Sequence, residues 1–148
     1  MTWVTRKRIR VNRAATAWLI RRFIDPDATF LFVEPGDVAA VQSRDGAIGF
    51  DAPDATYPHQ DAKGRCSFEA LVEERCPDDP ALRRLARIVR GADLPDQIGI
   101  APESPGLRAI SAGFPLVARD DRDTLERASF LYDALYESLR EEGGHGGR

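Results

Sequence analysis

The chain has little cysteine, almost no histidine and no long apolar run, and each shortage closes off a class of protein. Its two cysteines, Cys66 and Cys76, stand ten residues apart. That spacing fits neither a zinc knuckle nor a thioredoxin-like redox pair, and two thiols in a cytosolic chain are normally reduced. One of the two histidines, His145, lies in a terminal GGHGGR, which leaves His59 as the one imidazole of the folded body. No apolar run approaches the roughly 18 residues of a membrane helix, and no early segment has the form of a secretion signal. The expectation is therefore a cytoplasmic protein without membrane contact. Repeats, low-complexity segments and linkers are also missing before residue 143, so one domain is expected over 1–142 with a flexible tail at 143–148.

What is present suits a soluble globular domain: 148 residues, 43% hydrophobic and 30% charged. A net charge of -3 disfavours a dedicated nucleic-acid binder. Charge is nevertheless uneven, because Arg6, Lys7, Arg8, Arg10 and Arg13 follow one another with no acid between them. A basic strand or loop over an acidic body is the ordinary meaning of such a run.

The organising stretch is Val11 to Val33. Asn12 is placed as an N-cap, and Ala14, Ala15, Trp18, Leu19, Ile20, Phe23 and Ile24 make the following helix apolar almost all round, which predicts that it is buried. Asp25-Pro26 stops it, and Thr29 to Val33 reads as a strand buried on both faces. A strand is also expected within Thr2 to Arg10 and another at Ala47 to Phe50. From Ala52 to Gly64 there is no apolar period, only a Pro-, Asp- and Gly-rich loop that contains His59. Ser67 is read as the cap of a helix from Phe68, and Asp79-Pro80 as cap and first residue of another, which Gly91 ends. A short helix at Gly106 to Gly113 and a long amphipathic one from Asp120 or Asp121 complete an α+β domain dominated by helices.

Several residues carry possible chemistry. His59 in a polar loop suits a general base or a metal ligand. Cys66 lies at a helix entrance, where a thiolate is favoured if the sulfur points at the helix end; the plain alternative is a small buried hydrophobe. Glu34, Asp51, Glu69 and Asp93 all sit at ends of expected elements, where they could meet His59 in a cleft. One imidazole with two or three carboxylates suits a hard divalent metal, with His59, Glu69 and Asp93 as its ligands. Arg13, Arg21, Arg22 and Arg90 are candidates for holding an anion. Arg13 and Arg21 are about 12 Å apart along the helix axis and cannot grip one small oxyanion together. One of them, joined by Arg90 or by residues 6–10, could bind chromate, sulfate or phosphate in bidentate fashion. The alternative is a set of internal salt bridges that tie the helix into the core.

WVTR at 3–6, NRAATAWLIRRFIDPDATFLFV at 12–33, GAIGFD at 46–51, the segment from His59 to Cys66-Ser67-Phe68, and DPALRRLARIVRGAD at 79–93 together resemble the C-terminal domain of ChrB-type chromate-resistance proteins. GLRAIS at 106–111 and YDALY at 132–136 extend the resemblance over nearly the whole chain. His59, Cys66, Phe68, Arg21, Arg22 and Asp93 match the family pattern. That pattern has an aspartate, a cysteine and a proline where this chain has Asn12, Thr16 and Ala17. The resemblance implies a role in chromate resistance, by handling or sensing the oxyanion or by regulating a chromate operon. Three readings follow: a polar, metal-binding site that receives a small anion, a non-enzymatic sensor module, and a thiol-based redox protein using Cys66. Whether the site is catalytic and whether the chain self-associates are left open.

Overall fold

The computed structural model describes residues 1–145. Three parallel strands, β1 (Thr2–Arg6), β2 (Thr29–Val33) and β3 (Ile48–Gly49), form a small sheet in the order β2-β1-β3. The register runs from Thr2 beside Thr29 to Arg6 beside Val33, with Trp3 beside Ile48 on the other edge. Helix α1 (Val11–Leu19) and a π-helical turn at Ile20–Ile24 cross from β1 to β2, and α2 (Val38–Asp45) crosses from β2 to β3. The helices α3 (Ser67–Arg75), α4 (Pro80–Asp93), α5 (Ser104–Ala112), α6 (Phe114–Val117) and α7 (Asp121–His145) follow. This is the expected α+β domain rich in helix. Of the flexible tail expected at 143–148, residues 143–145 belong to α7 and the other three lie outside the described residues.

Alternation along β1 divides the interior. Trp3 joins Phe30 and Phe50 in the large core beneath α1, α3, α4 and α7, while Val4 points the other way into a small cluster with Val38 and Val41 of α2. A strand covered on both faces must be apolar throughout, and Trp3, Val4 and Thr5 are all buried. Thr5 meets that demand by donating to the Phe50 carbonyl at 2.6 Å.

The Asp79 carboxylate caps α4 by accepting from the Leu82 amide at 3.0 Å, as the Asp-Pro pair predicts. Three expectations give way. Asn12 is not a cap: α1 begins at Val11, and the buried Asn12 amide donates to Ser67 Oγ at 3.1 Å while its oxygen accepts from Thr16. Ser67 is likewise inside α3 and Cys66 is the cap residue. Gly91 does not end α4, which continues to Asp93. It is the point where α5 crosses, because a Cβ there would lie 2.3 Å from Ser104 Oγ. Ser104 uses that closeness to donate to the Ile88 carbonyl at 2.9 Å.

Candidate functional site

In an open parallel sheet the chain leaves its first strand to one side and returns to the other, opening a crevice at the carboxyl ends. Here that place lies between β1 and β3. Arg6 ends β1 and Asp51 follows β3, so the sheet register brings them together. Arg6 donates from Nε to the Asp51 carbonyl at 2.7 Å and from Nη2 to Oδ1 at 3.3 Å. Arg13, in the first turn of α1, reaches Oδ2 at 3.5 Å and donates to the Arg8 carbonyl at 2.9 Å. Asp51 is buried and holds a left-handed backbone (φ 50°), a conformation that aspartate tolerates better than most residues. The loop expected around His59 folds back so that Nδ1 lies 2.7 Å from Asp51 Oδ1. That hydrogen bond raises the imidazole above its ordinary pKa.

Asp93, on the last turn of α4, closes the group, with Oδ2 3.8 Å from His59 Nδ1. Burial, and then the negative charge of Asp51, push its carboxyl up to about 6. A cavity of about 160 Å³ opens beside this group, lined by Arg10, Asn12, Arg13, Asp51, Asp93, Arg108 and Ser111 among others, with Arg6 and His59 behind Asp51 and not in its lining. Arg108 is steadied by donating to the Ala92 carbonyl at 3.1 Å. Among the described residues, three buried side-chain atoms have no hydrogen-bond partner: Arg13 Nε, Asp93 Oδ2 and Ser111 Oγ. All three belong to residues lining this cavity. Ser111 lies beside the phenol of Tyr132, which gives its proton to the Val11 carbonyl at 3.0 Å and so keeps an oxygen lone pair to which the Ser111 hydroxyl can turn.

The loop between β1 and α1 is held from a distance. Asp121, first residue of α7, accepts from the Arg8 amide at 3.0 Å and the Ile9 amide at 2.9 Å, with Arg8 in the left-handed region.

The candidates from sequence divide. Arg13, His59 and Asp93 gather at the site, joined by Asp51. Glu69 does not reach them: its carboxylate pairs with Arg90 at 3.0 Å and accepts from the Cys66 amide at 3.1 Å. The three expected metal ligands therefore do not converge, and among the described residues no group of three or more His, Cys, Asp or Glu is arranged to hold a metal. Glu34 pairs with Lys7 at 3.0 Å. Arg21 and Arg22 face α7, where Arg21 meets Glu126 at 3.2 Å and Arg22 meets Asp133 and Glu137 at 2.7 and 2.9 Å. Cys66 is fully buried, and burial pushes its thiol up, against the thiolate that the helix entrance suggested. Arg6 and Arg10 belong to the basic run noted in the sequence. Arg108 and Ser111, three apart on α5, share a helix face, but nothing in the sequence says that this face meets α1 and α4.

A single α+β domain with an arginine-lined polar cavity at the strand ends is thus the class of protein that fold and site define. The chain belongs to the ChrB C-terminal domain family of chromate-resistance proteins, whose family model matches residues 3–139. It is 39% identical over 137 residues to Protein ChrB of Cupriavidus metallidurans, a match covering 90% of this chain and 39% of that protein. The chain thus spans about two-fifths of that relative's length. No solved structure matches it. Among the described residues, no helix is long and apolar enough to cross a membrane.

Proposed function

We propose that this domain binds a small oxyanion, chromate or one of its shape, in the cavity between Arg13, Arg108 and Ser111, and that this binding is its part in chromate resistance. The observation that carries the reading is that the unpartnered buried polar atoms among the described residues all belong to residues lining one cavity. Buried donors and acceptors are nearly always paired, and each one left alone costs about 1–3 kcal/mol. A guanidinium Nε and a hydroxyl without hydrogen-bond partners suit the oxygens of a tetrahedral anion. The neighbouring Arg10 and Arg108 supply charge, while Arg6 and Arg13 outnumber the single Asp51 that they share.

The test is titration calorimetry of the purified chain with chromate, comparing wild type, Arg13→Ala and Arg108→Ala. Binding in the wild type that each substitution weakens at least about tenfold supports the reading. Affinity unchanged in both variants, or no affinity in the wild type, overturns it.

A further inference from the structure

A site for any small anion needs only donors, yet this cavity also holds two carboxyl groups. Asp51 is fully engaged, by Arg6, Arg13 and His59. Asp93 is different. Its Oδ2 is buried and accepts nothing, and the nearest candidate donor, His59 Nδ1 at 3.8 Å, is already committed to Asp51 at 2.7 Å. The residues that line the cavity therefore carry two donors without a hydrogen bond, Arg13 Nε and Ser111 Oγ, and one such acceptor. A fully ionised anion can answer the donors only. An anion that carries a proton answers all three.

We propose that the cavity selects oxyanions that carry a proton near neutral pH, hydrogen chromate and hydrogen phosphate among them, and rejects sulfate: Asp93 accepts the ligand's hydroxyl while Arg13 and Ser111 donate to its other oxygens. This rests on the oxyanion reading above and names its ligand class. Sulfate and chromate share shape and charge when fully ionised, so a rigid cavity cannot sort them by size. They differ in basicity, because chromate takes up its first proton close to neutrality whereas sulfate stays ionised. Facing sulfate, Asp93 must either set lone pairs against lone pairs or draw a proton from solvent.

The second route makes sulfate binding depend on pH. The groups around Asp93 are Asp51 beyond β3, His59 in the loop, Arg13 on α1, Arg6 at the end of β1, Arg10 and Arg108 in the cavity lining, and the buried Cys66 of α3 and Tyr132 of α7; burial with Asp51 outweighs His59, Arg13 and Arg6 to hold the carboxyl at about 6. Above that value sulfate meets a carboxylate; below it, sulfate meets a donor. Sites built around a ligand hydroxyl reject analogues lacking it by factors of about 10⁴–10⁵, and one carboxyl that can itself take up a proton warrants about a hundredfold.

Calorimetry of the full chain with inorganic phosphate and with sulfate, at pH 7.5 and 5.5, decides the matter. Wild type is expected to bind phosphate about a hundredfold more tightly than sulfate at pH 7.5, with the gap narrowing at pH 5.5. In Asp93→Asn, whose amide can donate to sulfate, the two affinities come within several-fold at both pH values. Sulfate bound as tightly as phosphate by wild type at pH 7.5 overturns the selection and leaves oxyanion binding standing. A preference for phosphate that is unaltered both by pH and by Asp93→Asn overturns the role of Asp93. Failure of phosphate, sulfate and chromate alike to bind removes the oxyanion reading itself.

Discussion

Helix α1 and the π-turn that continues it send arginines to two regions of the molecule, and the two regions treat a guanidinium differently. Toward α7, Arg22 is matched by Asp133 and Glu137 and lies over the Trp18, Phe23 and Tyr136 rings, at 4.8 Å from the last. Arg21 is matched by Glu126 and covers Phe30. Toward the sheet, Arg13 shares one carboxylate with Arg6 and keeps a buried nitrogen unpaired. The α7 side is a finished interface; the strand-end side has hydrogen-bonding capacity left over. Arginine count alone does not distinguish them, because both are rich in it. Unused donors and acceptors do.

The sharpest way to break this contrast is to exchange the two roles by mutation. Arg13→Ala should weaken chromate binding about a hundredfold, the 2–3 kcal/mol expected of a charged hydrogen bond to an anion, whereas Arg22→Ala should leave affinity unchanged. Equal losses by calorimetry would erase the distinction between the regions.

Next in size is the effect of the unpaired carboxylate on the ligand-free fold. Asp93 has a folded pKa of about 6, above its ordinary 3.8, so its contribution to stability is complete below about pH 4 and is lost as pH rises through 6. Asn mimics the protonated form. Asp93→Asn should therefore raise the unfolding free energy at pH 8 by about 2–3 kcal/mol and change it little at pH 4, as read by urea denaturation. A loss of stability at pH 8 would mean that Asp93 has a donor after all.

His59 acts in the same direction over a higher range. Its folded pKa is raised, chiefly by the Asp51 hydrogen bond, so the stability it adds is present below about 6.5 and fades as pH climbs through the raised value. Wild type should thus lose stability in two steps between pH 4 and 9, and His59→Gln should abolish the upper step alone.

On the α7 side, Arg22→Ala should cost about 1–2 kcal/mol of stability, from lost ring contact more than from its half-exposed ion pairs, with little change on adding salt. The smallest effect is expected at Cys66. A thiol reagent should label it only after denaturation, and Cys66→Ala should leave anion affinity within twofold of wild type. Rapid labelling of the native chain would revive a redox role.

Much of the fold is legible in the residues, because local chemistry sets it. The run Thr29 to Val33 is β2 to the residue, although it is an edge strand in which only Phe30 is buried and not one buried on both faces, and Asp79-Pro80 opens α4 where capping places it. Asp93, His59 and Arg13 were recognisable as polar groups at element ends or in a loop. Their company was not. Arg6 meets Asp51 only because β1 and β3 are parallel in one register, a relation between residues 45 apart. Gly91 looks like a helix end in sequence, and only the crossing of α5 makes it a packing position. Helical periodicity places Arg21 and Arg22 on a helix without saying that Glu126, Asp133 and Glu137 run alongside. Asn12 has the chemistry of a cap, but Ser67 and Thr16 claim its side chain first.

Asp121 gives the cavity a place in time. The loop it clamps carries Arg10 and lies between Arg6 and Arg13, yet the clamp is more than a hundred residues further along the chain. On the ribosome, β1 and α1 emerge well before their fastening exists, and contacts so distant in sequence are made late. A nascent chain therefore carries its basic loop unfastened until α7 has emerged. The cavity is finished only when α7 docks, so that closing the domain and completing the proposed anion site are a single event.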